Sequence, residues 1–406
     1  MVAFGYDESW LARDNAIPVS LSLPLREDPF KGPAVAAFFE NLLPDSETLR
    51  RRVSEKVGAA GIDAYSLLSR IGRDCVGALQ FLPEEEELQG STEIQGRVAS
   101  DSDIEGMLLN LAQTPLGLDR ERDFRISIAG AQEKTALLRH KDQWWKPSGT
   151  TPTTHILKKQ MGTLPNGLDL SNSVENEFYC LRLLAAFGLP VNRAEISTFG
   201  NTKALVIERF DRRWTPDGRL LRLPQEDCCQ ALAVPPSRKY QNDGGPGIAD
   251  ILRLLKASDT PADDQKRFLK AQVLFLLIGA TDGHAKNFSI FLGPLGRFCL
   301  TPLYDILSAQ PSLVSGQIHK KQMRFAMCAG TNRHYVVDRI CGRHFAQTID
   351  RVGLPRGLAK EVMEEVAMQA FAAKQELEQS LPSDFPEFLH RTIWDGIAAR
   401  IGNFQL

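Results

Sequence analysis

A chain of 406 residues exceeds what one hydrophobic core usually supports, and 43% apolar with 24% charged residues is the balance of a folded globular protein, so two domains are expected. Lys+Arg 48 against Asp+Glu 50 leaves a formal net charge of −2, without the basic excess that drives independent binding to a phosphate backbone. No cationic segment followed by an apolar run opens the chain, the longest apolar stretch (271–280) is broken by Gln272 and too short for a bilayer, and the seven cysteines contain no C-x-x-C pair. A cytoplasmic protein with reduced thiols and no membrane association is expected.

In chain order, Val35, Phe38, Phe39 and Leu42 have helical spacing in a first module that ends at the acidic run 84–87. A helix over 104–112 is followed by turn residues near 114–117. Residues 125–128 and 135–138 are predicted as paired strands joined by the loop 129–134, and residues 153–158 as a further strand. A helix over 173–187 is predicted with Asn172 as its cap and Gly188 and Pro190 as its stop. Residues 203–210 and 220–223 are predicted as a hairpin around Thr215-Pro-Asp-Gly218. Beyond Gly244-Gly-Pro-Gly247 the pattern turns helical, over 248–256 and 264–279, with two short strands at 288–292 and 297–300 and a mostly helical remainder. The resulting domain boundaries are an N-terminal module over 1–115, an α/β region over 116–245 and a mainly helical region over 246–406.

The sharpest chemical signal is Ala280-Thr-Asp282-Gly-His284-Ala-Lys-Asn287, between an apolar helix and a strand. Its Asp-x-x-x-x-Asn spacing is that of a kinase catalytic loop, in which the Asp accepts the substrate hydroxyl proton and the Asn holds a magnesium ion. Asp305, in Thr301-Pro-Leu-Tyr-Asp305, follows a hairpin that returns the chain beside Asn287, so two metal ligands on adjacent strands are expected, although Tyr304-Asp305-Ile306 lacks the glycine of the kinase Asp-Phe-Gly triplet. A kinase also needs a lysine for the α- and β-phosphates and a carboxylate to hold it. Lys158 or Lys159 could supply the first, since alternation puts one of the two on a given face, and Glu177 the second. The loop Ser127-Ile-Ala129-Gly130-Ala131-Gln132-Glu-Lys134 has one glycine and small neighbours that let backbone N–H groups approach an anion, and Glu208-Arg209-Phe210 stands where kinases offer main-chain groups to adenine.

Taken in order, Ser127-Ile-Ala-Gly-Ala-Gln-Glu-Lys-Thr-Ala136, Val206-Ile-Glu-Arg-Phe-Asp-Arg-Arg213, Leu223-Pro-Gln-Glu-Asp227, Asp243-Gly-Gly-Pro-Gly247 and Gly279-Ala-Thr-Asp-Gly-His-Ala-Lys-Asn287 closely resemble the HipA toxin kinases, and the likeness covers nearly the whole chain. It implies an α+β, protein-kinase-like fold with an α/β N-terminal and an all-α C-terminal domain, and a serine/threonine kinase using ATP and Mg2+. It further implies glutamyl-tRNA synthetase as substrate, arrest of translation, and a HipB-like antitoxin through which alone it reaches DNA as co-repressor. Carried over by position, Asp282 is the catalytic base, Asn287 and Asp305 the metal ligands, and Lys158 the ATP lysine. Ala129 to Gln132, Lys134, Glu177, Glu208 to Phe210 and His284 complete the nucleotide site, and Ser127 is the autophosphorylated serine. Members of that family usually begin with a further pair of strands ahead of the segment matching Phe4-Gly-Tyr6 and Trp10-Leu11, where this chain starts, so either the sequence begins late or part of the first module is missing. Two further readings remain: a lipid or small-molecule kinase, which would use a similar Asp-x-His-x-x-Asn loop, and a non-catalytic nucleotide-binding subunit of a repressor complex.

Overall fold

The computed structural model describes residues 2–84, 94–118, 125–130 and 132–404. Most of the acidic run 84–87, and Ala131, lie outside the described residues. The chain divides into two compact units, one of Met1–Lys159, Ala194–Ser237 and Ile290–Arg297, the other of Gln160–Arg193, Arg238–Ser289 and Phe298–Leu406.

In the first unit, helices α1 (Pro33–Glu40), α2 (Glu47–Val57) and α3 (Ala64–Ile71) bury Val35, Phe38, Val53, Leu67, Leu68 and Ile71 in one core, which Ile126 and Ile128 also enter. Beside it lies a six-stranded antiparallel sheet. Its strands are β1 (Gly96–Val98), β2 (Lys134–His140), β3 (Gln143–Pro147), β4 (His155–Lys159), β5 (Ala194–Phe199) and β6 (Thr202–Glu208), in the spatial order β1-β3-β2-β4-β6-β5. Alternation decides which residues each face buries. Leu137, Leu157, Ala204 and Val206 pack on Ile104 and Leu108 of helix α4 (Asp101–Leu109), whereas Ala136 and Ile156, on the other face, join the N-terminal helical core.

Three expectations about pairing are corrected. Residues 125–128 are extended but join no ladder: the Ser127 N–H donates to the Asp74 carbonyl (3.0 Å) and its hydroxyl to the Leu42 carbonyl (2.7 Å). Residues 134–140 pair instead with β4 on one side and β3 on the other, β3 being reached through Lys141 and Asp142, both at positive φ (49° and 62°), the geometry of a tight primed hairpin turn. Likewise β6 does not pair with 220–222. With Ala204 to Ile207 all buried it is an interior strand, flanked by β4 and β5, and Gly200 (φ 59°) closes the β5–β6 turn. The turn around Gly218 (φ 83°) is present, joining Arg212–Trp214 to Leu220–Arg222.

In the second unit, helices α5 (Ser173–Ala186), α6 (Ile248–Leu255), α8 (Gly342–Val352), α9 (Leu358–Ser380) and α10 (Glu387–Ile401) assemble with α7 (Pro261–Ile278). From Phe268 to Ile278 every residue of α7 is buried, Lys270 and Gln272 among otherwise apolar side chains, and the helix runs through the interior, touching α5, α6, α9 and α10. Asn172 does not cap α5 through its side chain. Gln160 Oε1 takes the Val174 N–H instead, at 2.8 Å. Two short strands, Arg324–Ala329 and His334–Val336, interrupt the region expected to be helical. Among the described residues no helix is long and apolar enough to cross a membrane.

The first unit is threaded by a buried ionic network. Asp74 accepts from the Thr153 N–H (3.0 Å) and hydroxyl (2.7 Å), from Arg209 (3.2 Å) and from Arg212 (2.9 Å); Asp211 accepts from Arg209 (2.8 and 3.0 Å) and the Gly77 N–H (2.7 Å). Burial pushes both carboxyls up, and the guanidinium groups more than offset this, holding both below the usual carboxylate range.

Glu226 shows the opposite balance. It is fully buried, its Oε1 takes the Leu21 N–H at 2.8 Å, and burial pushes its carboxyl up to about 8 against that bond and the Ser20 hydroxyl. The folded chain thus retains a proton that the unfolded chain releases above the ordinary value of 4.5, so this residue lowers stability as pH rises from 4.5 to about 8. Glu226→Gln should flatten that decline, its advantage over wild type growing to on the order of 4 kcal/mol above pH 8. Urea unfolding of both proteins at pH 5.5 and 8.5 measures it; an equal difference at the two values would refute the assignment.

Candidate active site

The second unit builds the Asp-x-x-x-x-Asn loop at the end of its buried helix. Gly279 ends α7 in the left-handed conformation (φ 69°), which glycine adopts without penalty, and the chain turns sharply into residues 280–287. The Asn287 side-chain amide then closes the loop, donating to the Asp282 carbonyl at 2.8 Å and lying 3.5 Å from the Asp305 carbonyl. Both bonds use Nδ2, which leaves Oδ1 as the acceptor end of the group. Asp282 itself is exposed, while His284 and Asn287 are buried.

Asp305 is brought to Asn287 by Tyr304, whose hydroxyl donates to the Lys286 carbonyl (2.8 Å) and meets the Ser289 hydroxyl (2.6 Å), and by the Thr301 N–H bonding the Ser289 carbonyl (3.0 Å). Its φ is +58°, uncommon for a residue with a side chain and costing on the order of 1 kcal/mol. The structure therefore gathers Asp282, Asn287 and Asp305 in one place.

Two braces hold this place that sequence reasoning missed. Asn176 of α5 exchanges a pair of hydrogen bonds with the backbone of Ser308 (2.8 and 2.9 Å), and the Ser308 hydroxyl donates to Ile278 at the end of α7. Arg400 of α10 donates to the Leu277 carbonyl (2.7 Å) and to Gln310 (2.5 Å), a cation on the orphan carbonyls of a helix C-terminus. Gly396 makes room for it, since a Cβ there would stand 2.8 Å from the Arg400 guanidinium and 2.9 Å from Gln310. No local sequence signal announces either brace. Glu177 lies beside Asn176 in α5, almost fully buried.

In the first unit, Lys134 and Lys158 stand opposite each other in the β2–β4 register and on one face, both buried, whereas Lys159 points to the other face, 3.8 Å from Glu133. The Lys134 ammonium donates to the Ala129 carbonyl (2.9 Å), and a Cβ on Gly130 (φ 110°) would come within 2.6 Å of it, so only glycine lets the loop pass. Gln132 donates to the Lys159 carbonyl (3.3 Å), and Gly130 is seated on the N-terminal module through a bridge to Pro44. Glu208 is exposed. Arg209 is committed inward, its N–H to Thr154 (2.8 Å) and its guanidinium to the ionic network, and the Phe210 ring meets Phe291 edge-on at 5.6 Å.

Comparison with known proteins decides the family. The HipA N-terminal domain matches residues 1–82 and the HipA-like C-terminal domain residues 126–374. The chain belongs to the HipA family. Among its relatives, the Sinorhizobium fredii protein Y4mE is 38% identical over 77% of this chain and 74% of its own length. The serine/threonine-protein kinase toxin HipA of Shewanella oneidensis is 28% identical over 94% of this chain and 85% of its own. A solved complex of Shewanella oneidensis HipA, HipB and operator DNA matches with a TM-score of 0.79 at 26% identity, covering 98% of this chain and 92% of that one. The fold is the α+β, protein-kinase-like fold of HipA.

Asn176→Ala would leave the buried Ser308 N–H and carbonyl without partners, a loss of roughly 2–4 kcal/mol. Urea denaturation reads it directly, and a change below about 0.5 kcal/mol, ordinary for a surface substitution, would show that the brace carries no weight.

Proposed function

We propose that this HipA-family chain is an ATP-dependent serine/threonine protein kinase toxin that transfers the γ-phosphoryl group to a protein hydroxyl. The observation that carries this reading is the Asn287 amide bonded to the Asp282 carbonyl and beside that of Asp305, which brings the candidate base and the candidate metal ligands together. In the role assignment, Asp282 takes the proton of the substrate hydroxyl as its oxygen attacks the γ-phosphorus and the bond to ADP breaks. Lys134, Lys158 and the loop 127–134 neutralise and cradle phosphate oxygens, His284 supports the catalytic loop, and residues 208–210 border the adenine.

The residues suit magnesium. Asp305 and the Asn287 Oδ1 are hard oxygen donors, the kind that a magnesium ion takes alongside nucleotide phosphates. When bound, the ion neutralises charge on the transferring group. The HipB-containing complex of the Shewanella relative supports a HipB-like antitoxin as partner, with which this chain would act as co-repressor at operator DNA. Glutamyl-tRNA synthetase is the proposed substrate, its phosphorylation halting translation and growth.

Asp282→Asn should lower transfer to a protein substrate by about 10²- to 10⁴-fold. Asp305→Asn should also be inactive yet well folded, because asparagine tolerates the left-handed conformation at that site. ADP release measured beside thermal unfolding separates the two effects; wild-type turnover by either variant would end the assignment.

Ser127 is proposed as the autophosphorylation site that switches the enzyme off. Its side chain is fully buried and tied to the Leu42 carbonyl, so a phosphate of about −1.5 to −2 charges cannot remain there and the loop must leave its seat. Wild type incubated with ATP should yield a Ser127 phosphoform that binds nucleotide at least tenfold more weakly, by calorimetry, than Ser127→Ala treated alike. Normal ATP affinity in that phosphoform would defeat the switch.

A further inference from the structure

We propose that Tyr240 is a positioning residue for phosphotransfer, fixing the orientation of the Asp282 carboxylate; this rests on the assignment of Asp282 as the base. The Tyr240 hydroxyl donates to Asp282 Oδ1 at 2.5 Å, and its ring meets the His284 ring edge-on, centroids 4.9 Å apart. One phenol thus contacts both distinctive side chains of the catalytic loop.

The backbone around Tyr240 is shaped to hold it there. Its carbonyl accepts from the N–H groups of Asp243 and Gly245, both at 3.0 Å, and Gly244 takes a positive φ of 89°. A Cβ at Gly245 would come within 2.0 Å of the Arg238 carbonyl and 2.8 Å of the Tyr240 carbonyl, and one at Gly247 within 2.2 Å of the Gln241 amide. Gln241 in turn accepts the Cys328 N–H (2.7 Å), anchoring the turn to the strand Arg324–Ala329. The Asp243-Gly-Gly-Pro-Gly247 segment, which no catalytic role otherwise requires, therefore reads as the mount of this tyrosine.

With Oδ1 engaged by the phenol, the carboxylate plane is set and proton acceptance falls to Oδ2. In the transfer step the substrate O–H bond breaks, its proton passes to Oδ2, and its oxygen bonds the γ-phosphorus as the bond to ADP breaks; Tyr240 keeps its own proton throughout.

Tyr240→Phe removes one hydroxyl and retains the ring contact with His284. It should lower kcat by about 10- to 100-fold with the KM for ATP unchanged. Combined with Asp282→Asn, it should cost nothing further. A wild-type kcat in Tyr240→Phe would overturn the role of Tyr240, as would an added tenfold loss in the double variant, which would mean that the phenol acts on the substrate directly. Full activity of Asp282→Asn alone would instead remove the base assignment. Ultraviolet titration gives a test that leaves Tyr240 in place: one tyrosine should ionise at lower pH in Asp282→Asn than in wild type, where the carboxylate opposes a phenolate, and identical titrations would refute the contact.

Discussion

Five charged groups taken out of water organise the first unit: Asp74 and Asp211 with Arg209, Arg212 and Arg222. Removing one partner of such a cluster typically costs several kcal/mol, because the remaining charge stays buried and uncompensated. The geometric consequence reaches further than the energy. Asp74 follows the third N-terminal helix, Thr153 precedes the lysine strand, and Arg209 and Arg212 follow the interior strand β6, so one carboxylate ties three separate stretches together. The Asp74 carbonyl also receives the Ser127 N–H, which seats the loop that carries Ser127 and Gly130 on the same foundation. That shared anchor is why Arg209 faces inward instead of lining an open surface.

The second unit answers a different physical problem, placing polar groups at the end of an apolar helix. Helix α7 can run through the interior because its last carbonyls are met by Arg400 and by the Ser308 hydroxyl, not by solvent. Those same partners fix the residues on either side of the loop. The strain held at Asp305 is tolerated in the same way, by surroundings that determine the backbone from several directions.

Much of this was legible in the sequence where covalent distance controls the outcome. Asp282 and Asn287 are five residues apart in one loop, and a short hairpin carries Asp305 back to them, so spacing alone brought the three together. Strand existence was also readable at 155–159 and 202–208, but alternation specifies a face and not a neighbour. The turns at Lys141-Asp142 and Gly200-Asn201 chose the partners, and only Gly200 is a conspicuous turn former. Asn176, Arg400 and Tyr240 were not readable, because each acts across 42 to 132 positions of sequence and its importance exists only once helices have packed. The inward commitment of Arg209 was hidden for the same reason, its partner Asp74 lying 135 positions away.

The Arg400 brace has a consequence for the timing of biosynthesis. The loop around Asp282 is translated more than a hundred residues before the arginine that supports the helix leading into it. At ordinary elongation rates the interval is on the order of ten seconds. During it a nascent chain carries Asp282, Asn287 and Asp305 without the cation on the Leu277 carbonyl or the partner of Gln310. The helix leading into the loop 280–287 thus gains its final support only well after the loop itself has been made.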